Sequence, residues 1–207
     1  MTLLCYTEWR NVIKINTERL TIKMKQTDKK LTTYQMITCA LMAAIMCILG
    51  PISIQIGPVP ISLTMVAVFL AVFVLGTKFG CLSYVIYYLL GLVGLPVFSG
   101  GAGGLGKVAG PTGGYLIGMF FMALIVGLFL KKFPNHWYMI LVGMIVGDAV
   151  NYVFGTAWFV ISTQSTVQYA LEVCVLPFIL VDLIKMVFSL IVGMAVRRQL
   201  IKAGLAS

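Results

Sequence analysis

The chain has 207 residues, of which 60% are hydrophobic and only 10% are charged, and its mean hydropathy is +1.03. These values argue against a water-soluble globular protein. Membrane-spanning helices of about 20 residues with short connections would fill most of this length, so no soluble enzyme domain is expected. The net charge of +9 does not indicate nucleic-acid binding, because the basic residues fall almost wholly in the tails and alternate connections.

Residues 1–31 differ from the rest of the chain because they carry seven lysines and arginines. No cleavage site of small residues follows, so this segment is not interpreted as a secretory signal peptide. We predict a basic cytoplasmic extension; a segment lying on the membrane surface is the alternative. The organisation expected is this extension, a transmembrane domain over residues 32–200, and a short cytoplasmic tail over residues 201–207.

Six apolar stretches follow one another and predict an all-α integral membrane protein, a bundle of six transmembrane helices. Short connections make one compact domain the expected arrangement. The predicted spans are residues 33–49, 61–75, 81–95, 115–130, 137–160 and 173–196.

The distribution of lysine and arginine predicts the orientation of the bundle. With the N-terminus inside, 13 of the 15 basic residues lie on the cytoplasmic side, Lys107 alone lies outside, and Lys185 lies within the sixth span. Positive residues accumulate in cytoplasmic connections of membrane proteins. Both termini are therefore expected on the cytoplasmic side of the membrane.

Two connections on the predicted outer side have distinct character. Residues 52–56 alternate between apolar and polar side chains before Gly57 and Pro58, which predicts an extended segment. In residues 99–114, half of the sixteen positions are glycine, so the backbone could approach a ligand closely. This segment is interpreted as a loop that covers a ligand, with a flexible linker as the alternative.

Residues 101–107 of that loop fit the nucleotide-binding pattern GxxxxGK, but the match fails chemically. Val108 stands where a serine or threonine should hold magnesium, and no strand is predicted before the glycines. The loop is also predicted to face away from cytoplasmic ATP. A phosphate-binding loop is therefore rejected.

Asp182 and Lys185 stand three residues apart in the apolar sixth span, so they share one helix face and can pair. Charges at membrane depth are costly and point to function by default. A carboxylate beside an ammonium offers an acceptor and donors together, which suits a neutral group with both N–H and C=O, such as a cyclic urea. A structural ion pair, or a lysine reaching the outer interface, is the alternative.

Polar and aromatic residues on spans three and five are further candidates for the binding site. Asn151 and Tyr152 share a helix face with Asp148, which could be a second site carboxylate, a proton relay or a helix-packing group. Packing is favoured for Asp148 because glycines on the same helix indicate close helix contact. Tyr87, with its neighbours Tyr84 and Tyr88, could stack on a ligand or belong to an interfacial aromatic belt.

Ala40 and Ala44 form a small-xxx-small pair on the first span and could allow a partner helix to pack closely. The five cysteines show no CxxC spacing, and His136 has no accompanying metal ligands. No metal site, cofactor or catalytic residue is predicted, and the chain is not expected to be an enzyme.

Three stretches of the sequence resemble the BioY family, the biotin-specific substrate-binding (S) components of energy-coupling factor (ECF) transporters. The resemblance covers about residues 33–200, and the run Gly-Pro-Thr-Gly-Gly-Tyr at 110–115 is the most specific part. Span six, with Pro177 and Phe178 before Asp182 and Lys185, is also similar. The three stretches themselves are residues 57–61, 91–101 and 110–118.

The resemblance implies a multi-pass protein of a prokaryotic plasma membrane that captures biotin from outside. A transmembrane coupling subunit and two cytoplasmic ATPases would drive transport. Asp182 and Lys185 match the positions that hold the ureido ring, and Ala40 and Ala44 match the contact with the coupling subunit. The glycine-rich loop would cover the ligand and help to hold its valerate carboxylate. Its implied ligand residues are Gly103, Gly104, Thr112 and Gly113.

Two rival functions come from other classes. A stand-alone secondary transporter for a small vitamin-like solute, coupled to protons, would use Asp148 or Asp182 as a relay. An intramembrane enzyme would need a nucleophile with a base or a set of metal ligands, and the sequence suggests neither.

Overall fold

A computed structural model describes residues 33–56 and 59–203. The predicted basic extension over residues 1–31 lies outside the described residues, as do positions 57 and 58 and most of the predicted C-terminal tail. From Ile37 onward the chain forms one compact unit. The protein is mostly helical, in agreement with the predicted all-α class.

Helices account for nearly all of the described chain, and one β-hairpin follows the first of them. The elements are α1 (Thr33–Leu49), β1 (Ser53–Ile56), β2 (Val59–Ser62), α2 (Thr64–Leu92), a 3₁₀ turn (Ser99–Gly101), α3 (Leu105–Ala109), α4 (Gly113–Lys132), α5 (Trp137–Thr163), α6 (Val167–Cys174) and α7 (Leu176–Lys202).

Four of the described helices, α2, α4, α5 and α7, are long and apolar enough to cross a membrane, and α1 is a shorter apolar helix. Large aromatic and methionine side chains such as Phe69, Phe73 and Met122 are fully buried between the helices. In contrast, Leu180 and Ile191 of α7 are about two-thirds exposed. Apolar side chains on both the inner and outer faces are typical of helices that contact lipid.

Helix α2 folds back on itself at Gly76. This residue has φ 75° and ψ −179°, a backbone conformation that favours glycine. A Cβ atom added to Gly80 would lie only 2.8 Å from the Cα of Val72, so the two halves pack side by side. The sequence predicts two spans here with a connection at 76–80. In the structure the helix continues through this connection, and Gly76 alone within α2 has non-helical backbone angles.

The segment predicted to be extended forms strand β1, so this prediction is confirmed. It pairs with β2 in an antiparallel hairpin in which Ser53 lies opposite Ser62 and Ile54 opposite Ile61. The hairpin marks one end of the bundle, called the hairpin end below. Helix α1 reaches this end at Leu49, and α4 begins near it.

The sixth predicted span, residues 173–196, corresponds to α7, which begins three residues later at Leu176. Val175 has φ −120° and ψ −57°, and it separates the short helix α6 from α7. Pro177 then lies in the first turn of α7, where a missing N–H breaks no helical hydrogen bond. Helix α7 therefore begins at the hairpin end with its own first turn.

Helices α4 and α5 pack together more extensively than any other pair of described elements. Glycines on α4 make this possible, because a Cβ added to Gly118 would lie 3.0 Å from the Cα of Asn151. At Gly114 the carbonyl oxygen of Phe154 would lie 2.5 Å from an added Cβ. The close approach sets the position of the polar residues of α5 relative to α4.

Candidate functional site

A cavity lies at the hairpin end, between β2, the start of α4, the second half of α5 and the start of α7. The empty space of this open cavity, with the solvent at its mouth included, is about 670 Å³. The walls combine apolar, aromatic and polar side chains. The lining residues are Val59, Pro60, Ile61, Ser62, Thr64, Met65, Tyr87, Ser99, Lys107, Thr112, Tyr115, Leu116, Met119, Asn151, Tyr152, Cys174, Phe178, Asp182 and Lys185.

Asp182 and Lys185 form an ion pair on the wall contributed by α7. Lys185 Nζ lies 2.9 Å from Asp182 Oδ1, and only 11% and 9% of the lysine and aspartate side chains are exposed. Tyr152 of α5 donates its hydroxyl to the second oxygen, Asp182 Oδ2, at 2.5 Å. Both charges line the cavity, so the structure does not favour the alternative in which Lys185 extends away to the interface.

The ion pair retains hydrogen-bonding capacity toward the cavity. An ammonium has three protons, and a carboxylate has about four lone-pair positions. The hydrogen bonds within the pair and from Tyr152 account for one lysine proton and two aspartate positions. A group placed here could donate N–H to Asp182 and accept from Lys185, which is the chemistry of an amide, imide or cyclic urea.

Two other buried polar atoms on the cavity wall have no hydrogen-bond partner within the described part of the chain. They are Asn151 Oδ1 on α5 and Thr112 Oγ1 directly before α4. Asn151 is 5% exposed and Thr112 is 8% exposed. Buried polar groups are normally hydrogen-bonded, so these atoms are suited to accept or donate to a bound ligand.

The three tyrosines of α2 have different environments. Tyr87 lines the cavity, and its hydroxyl donates to the carbonyl oxygen of Val97 at 3.1 Å. Tyr84 is buried away from the cavity and donates to the carbonyl oxygen of Leu116, while Tyr88 also lies outside the lining. Because Tyr84 and Tyr87 are almost fully buried, neither belongs to an interfacial belt.

The glycines of the predicted ligand-covering loop do not line the cavity, although their neighbours do. Gly104 donates its N–H to the carbonyl oxygen of Gly91 at 2.7 Å, and Gly103 packs against the carbonyl of Leu95. Gly113 packs against the carbonyl of Val108. Direct ligand contacts by Gly103, Gly104 and Gly113 stay predictions, and in this structure the three residues shape the loop.

Lys107 is a site residue that the sequence analysis did not select as a ligand contact. It lies on α3, is half-buried, and lines the cavity with its side chain. Burial lowers the pKa of its ammonium group, and it has no ion-pair partner within residues 33–56 and 59–203. An anionic ligand group beside it would supply the missing charge. The sequence feature that could have identified it is that Lys107 is the single basic residue on the predicted outer side.

Asp148 lies beside the site without lining it. It is 4% exposed, interacts with Asp182 and Lys185, and faces Asn151 on its own helix. Its Oδ1 has no hydrogen-bond partner in the described segments. The roles considered for Asp148, packing and proton relay, stay predictions.

The apolar walls could not be assigned from the sequence. Met65 of α2, Met119 of α4 and Phe178 of α7 line the cavity, together with the rings of Tyr115 and Tyr152. Apolar residues occur throughout every helix, so no local pattern distinguishes those that face a ligand. These surfaces suit an aliphatic or thioether segment of a ligand.

Ala40 and Ala44 lie on an exposed face of α1. Neighbouring side chains on this helix, Ile37, Leu41 and Ile48, are between 56% and 68% exposed. The small residues therefore form a shallow apolar surface that a lipid or a partner helix could cover. Contact with a partner through Ala40 and Ala44 stays a prediction.

The apolar helices and the cavity with its buried ion pair define a multi-pass membrane protein with a polar cavity near one end of its bundle. A family model described as the BioY family matches residues 23–202. The chain belongs to the BioY family.

Characterised relatives are similar over most of the chain. "Biotin transporter BioY2" of Lactococcus lactis subsp. cremoris is 35% identical over 167 residues, which cover 81% of this chain and 92% of the relative. "Biotin transporter BioY" of Thermotoga maritima is 36% identical over 166 residues, covering 79% of this chain and 96% of the relative. With these relatives, the helices place the chain in the prokaryotic cell membrane as a multi-pass protein.

A solved structure has the same fold. The crystal structure of the S-component for biotin from an ECF-type ABC transporter superposes with a TM-score of 0.75 at 30% sequence identity. The match covers 82% of this chain and 95% of that chain. The resemblance to the BioY family that the sequence motifs indicated is confirmed.

Proposed function

We propose that this protein is the biotin-binding, substrate-capture subunit of an ATP-driven ECF transporter and has no ATPase or other catalytic activity itself. The observation that carries the proposal is the buried Asp182–Lys185 pair on the wall of the cavity at the hairpin end. Relatives named biotin transporters and the biotin S-component with the same fold support this choice of ligand.

The ureido ring of biotin complements the polar wall of the cavity. Its carbonyl would accept from Lys185, and its two N–H groups would donate to Asp182 and to the open Oδ1 of Asn151. Tyr152 would hold Asp182 in place from the other side. A group of this shape would form hydrogen bonds with all three residues without adding net charge to the membrane interior.

The other end of biotin is an aliphatic chain with a carboxylate. The chain would lie against the apolar walls, and the carboxylate would pair with Lys107 and accept from Thr112. This arrangement explains why one cation of the cavity lacks a counter-ion within the described residues. Gly103, Gly104 and Gly113 would act by shaping the loop that carries Lys107.

Active uptake requires partners, because the proposed subunit has no credible ATP site. We propose a transmembrane coupling subunit and two cytoplasmic ATPases, with the exposed face of α1 around Ala40 and Ala44 as the contact with the coupling subunit. The bundle would cross the membrane six times, with α2 counted as two crossings because it folds back at Gly76. Both termini would be cytoplasmic, which reporter fusions active only in the cytoplasm would test.

Purified protein is expected to release biotin on denaturation, identified by mass spectrometry, and to rebind it with a stoichiometry of one in calorimetry. In vesicles, biotin uptake is expected to require co-reconstituted coupling and ATPase subunits together with ATP. Absence of biotin binding would refute the proposal. Uptake by the protein alone, driven by a pH gradient, would instead support the proton-coupled transporter.

Replacing Lys107 by methionine is expected to weaken biotin binding about tenfold while leaving the binding of biotin carboxamide nearly unchanged. The variant loses the cation that pairs with the carboxylate but keeps a chain of similar length. Calorimetry with both ligands measures the difference. Lys131→Met, at the exposed end of α4 far along the chain from the cavity, is the matched control. Equal affinity of wild type and Lys107→Met for biotin would remove Lys107 from the site.

A further inference from the structure

We propose that Trp158 is a positioning residue that holds the short helix α3, and with it Lys107, over the cavity. Trp158 lies on α5 and is not among the residues that line the cavity. Its role would be exerted entirely through the loop between α2 and α4. The inference rests on the proposed function because it assigns Lys107 to the carboxylate of the ligand.

The connection runs through one hydrogen bond. The indole N–H of Trp158 donates to the carbonyl oxygen of Gly110 at 3.0 Å. Gly110 follows α3 directly, and its own N–H donates to the carbonyl oxygen of Gly106 at 3.0 Å. The indole is therefore tied to the end of the helical turn that contains Lys107.

Helix α3 depends on such ties because Val108 is the only one of its five residues that packs against the hydrophobic core. None of its five residues is buried, and Leu105, its largest apolar side chain, is 68% exposed. A helix this short gains almost nothing from its own hydrogen bonds. The Trp158 bond holds its end, and the bond from Gly104 to Gly91 holds its start.

Trp158 itself is held firmly enough to act as an anchor. The start of α4 lies directly against it: a Cβ added to Gly114 would collide with Trp158 Cβ, and one added to Gly113 would lie 3.1 Å from Trp158 Nε1. Since these neighbours are backbone atoms of α4, which packs closely against α5, the indole has little freedom to move. The position of its N–H, and so of Gly110, is fixed by the α4–α5 contact.

The test compares Trp158→Phe with wild type, using biotin and biotin carboxamide as ligands in calorimetry. Phenylalanine keeps an aromatic ring but has no donor. We expect biotin binding to weaken about fivefold, the effect of one lost neutral hydrogen bond, and the carboxamide to change less than about twofold. A purely structural role would weaken both ligands alike, and that outcome would overturn the proposal.

A double-mutant cycle with Lys107→Met gives the second measurement. If Trp158 acts through Lys107, the double variant is expected to bind biotin no more weakly than Lys107→Met alone. Independent, additive losses would contradict the proposal. Trp137→Phe, the same substitution at the exposed opposite end of α5, is the matched control and should bind both ligands as wild type does.

The outcomes separate this inference from the proposed function. If wild type binds neither ligand, the proposed function fails; if it binds biotin and Trp158→Phe shows no ligand preference, only the positioning role fails. Should Trp158→Phe not give a monodisperse protein, the comparison is made on Trp158→Leu, which also has no donor. A loss confined to biotin in that variant supports the proposal, and an equal loss for both ligands overturns it.

Discussion

Replacing Asp182 by leucine is expected to weaken biotin binding about 100-fold or more and to lower the free energy of unfolding by about 3 kcal/mol. The variant removes an acceptor for the ligand and leaves the Lys185 ammonium, only 11% exposed, without its carboxylate partner. An unpaired charge in apolar surroundings is strongly destabilising. Calorimetry with biotin and thermal unfolding in detergent measure the two effects.

A double variant, Asp182→Leu with Lys185→Met, distinguishes a ligand site from a structural ion pair. Replacing both partners of a buried pair by apolar residues is often neutral for stability, so the double variant should unfold near the wild-type temperature. Its biotin binding should nevertheless stay lost. Recovery of binding together with stability would show that the pair serves the fold alone. Lys202→Met, near the exposed end of the same helix, controls for loss of a lysine.

Replacing Gly114 by alanine is expected to lower the free energy of unfolding by about 1–3 kcal/mol and to weaken ligand binding. The added Cβ would lie 2.5 Å from the carbonyl oxygen of Phe154, a backbone atom of α5 that no rotamer change can move. Helices α4 and α5 would have to separate. Because Thr112 and Tyr115 flank this position and line the cavity, the site would be displaced too.

Gly106→Ala is the matched control for the Gly114 variant. It adds the same methyl group in the neighbouring helix α3, where nothing lies within 4 Å of the new Cβ. It should unfold at or slightly above the wild-type temperature, since alanine restricts the unfolded chain more than glycine. Equal thermal stability of the two variants would show that the contact at Gly114 can relax at no cost.

The sequence predicted the helices well where hydropathy alone determines them. The predicted spans 33–49, 115–130 and 137–160 correspond to α1, α4 and α5 within a few residues. A hydropathy profile cannot locate a helix break at which no polar residue interrupts the apolar sequence. The fold-back at Gly76 lies within the predicted connection at 76–80, whereas the break at Val175 lies inside an apolar run, two residues after the predicted start of span six.

The sequence identified those site residues that are charged or polar within an apolar helix. Asp182 and Lys185 are charges in an apolar helix, and the structure places both on the cavity wall with Asn151 and Tyr152. Met119 and Phe178 carry no such signal, because any apolar residue fits either lipid or ligand. Lys107 was used only to predict the orientation of the bundle, since its approach to the cavity depends on how the loop folds.

The local spacing of the two site charges also bears on how the chain enters the bilayer. Asp182 and Lys185 stand one turn apart on a single helix, so their 2.9 Å contact forms together with that helix and needs no other part of the bundle. The final segment can then partition into lipid during biosynthesis with its charges already compensated, at a lower cost than two isolated ions. The two charges that most oppose membrane insertion are thus paired before the tertiary structure forms.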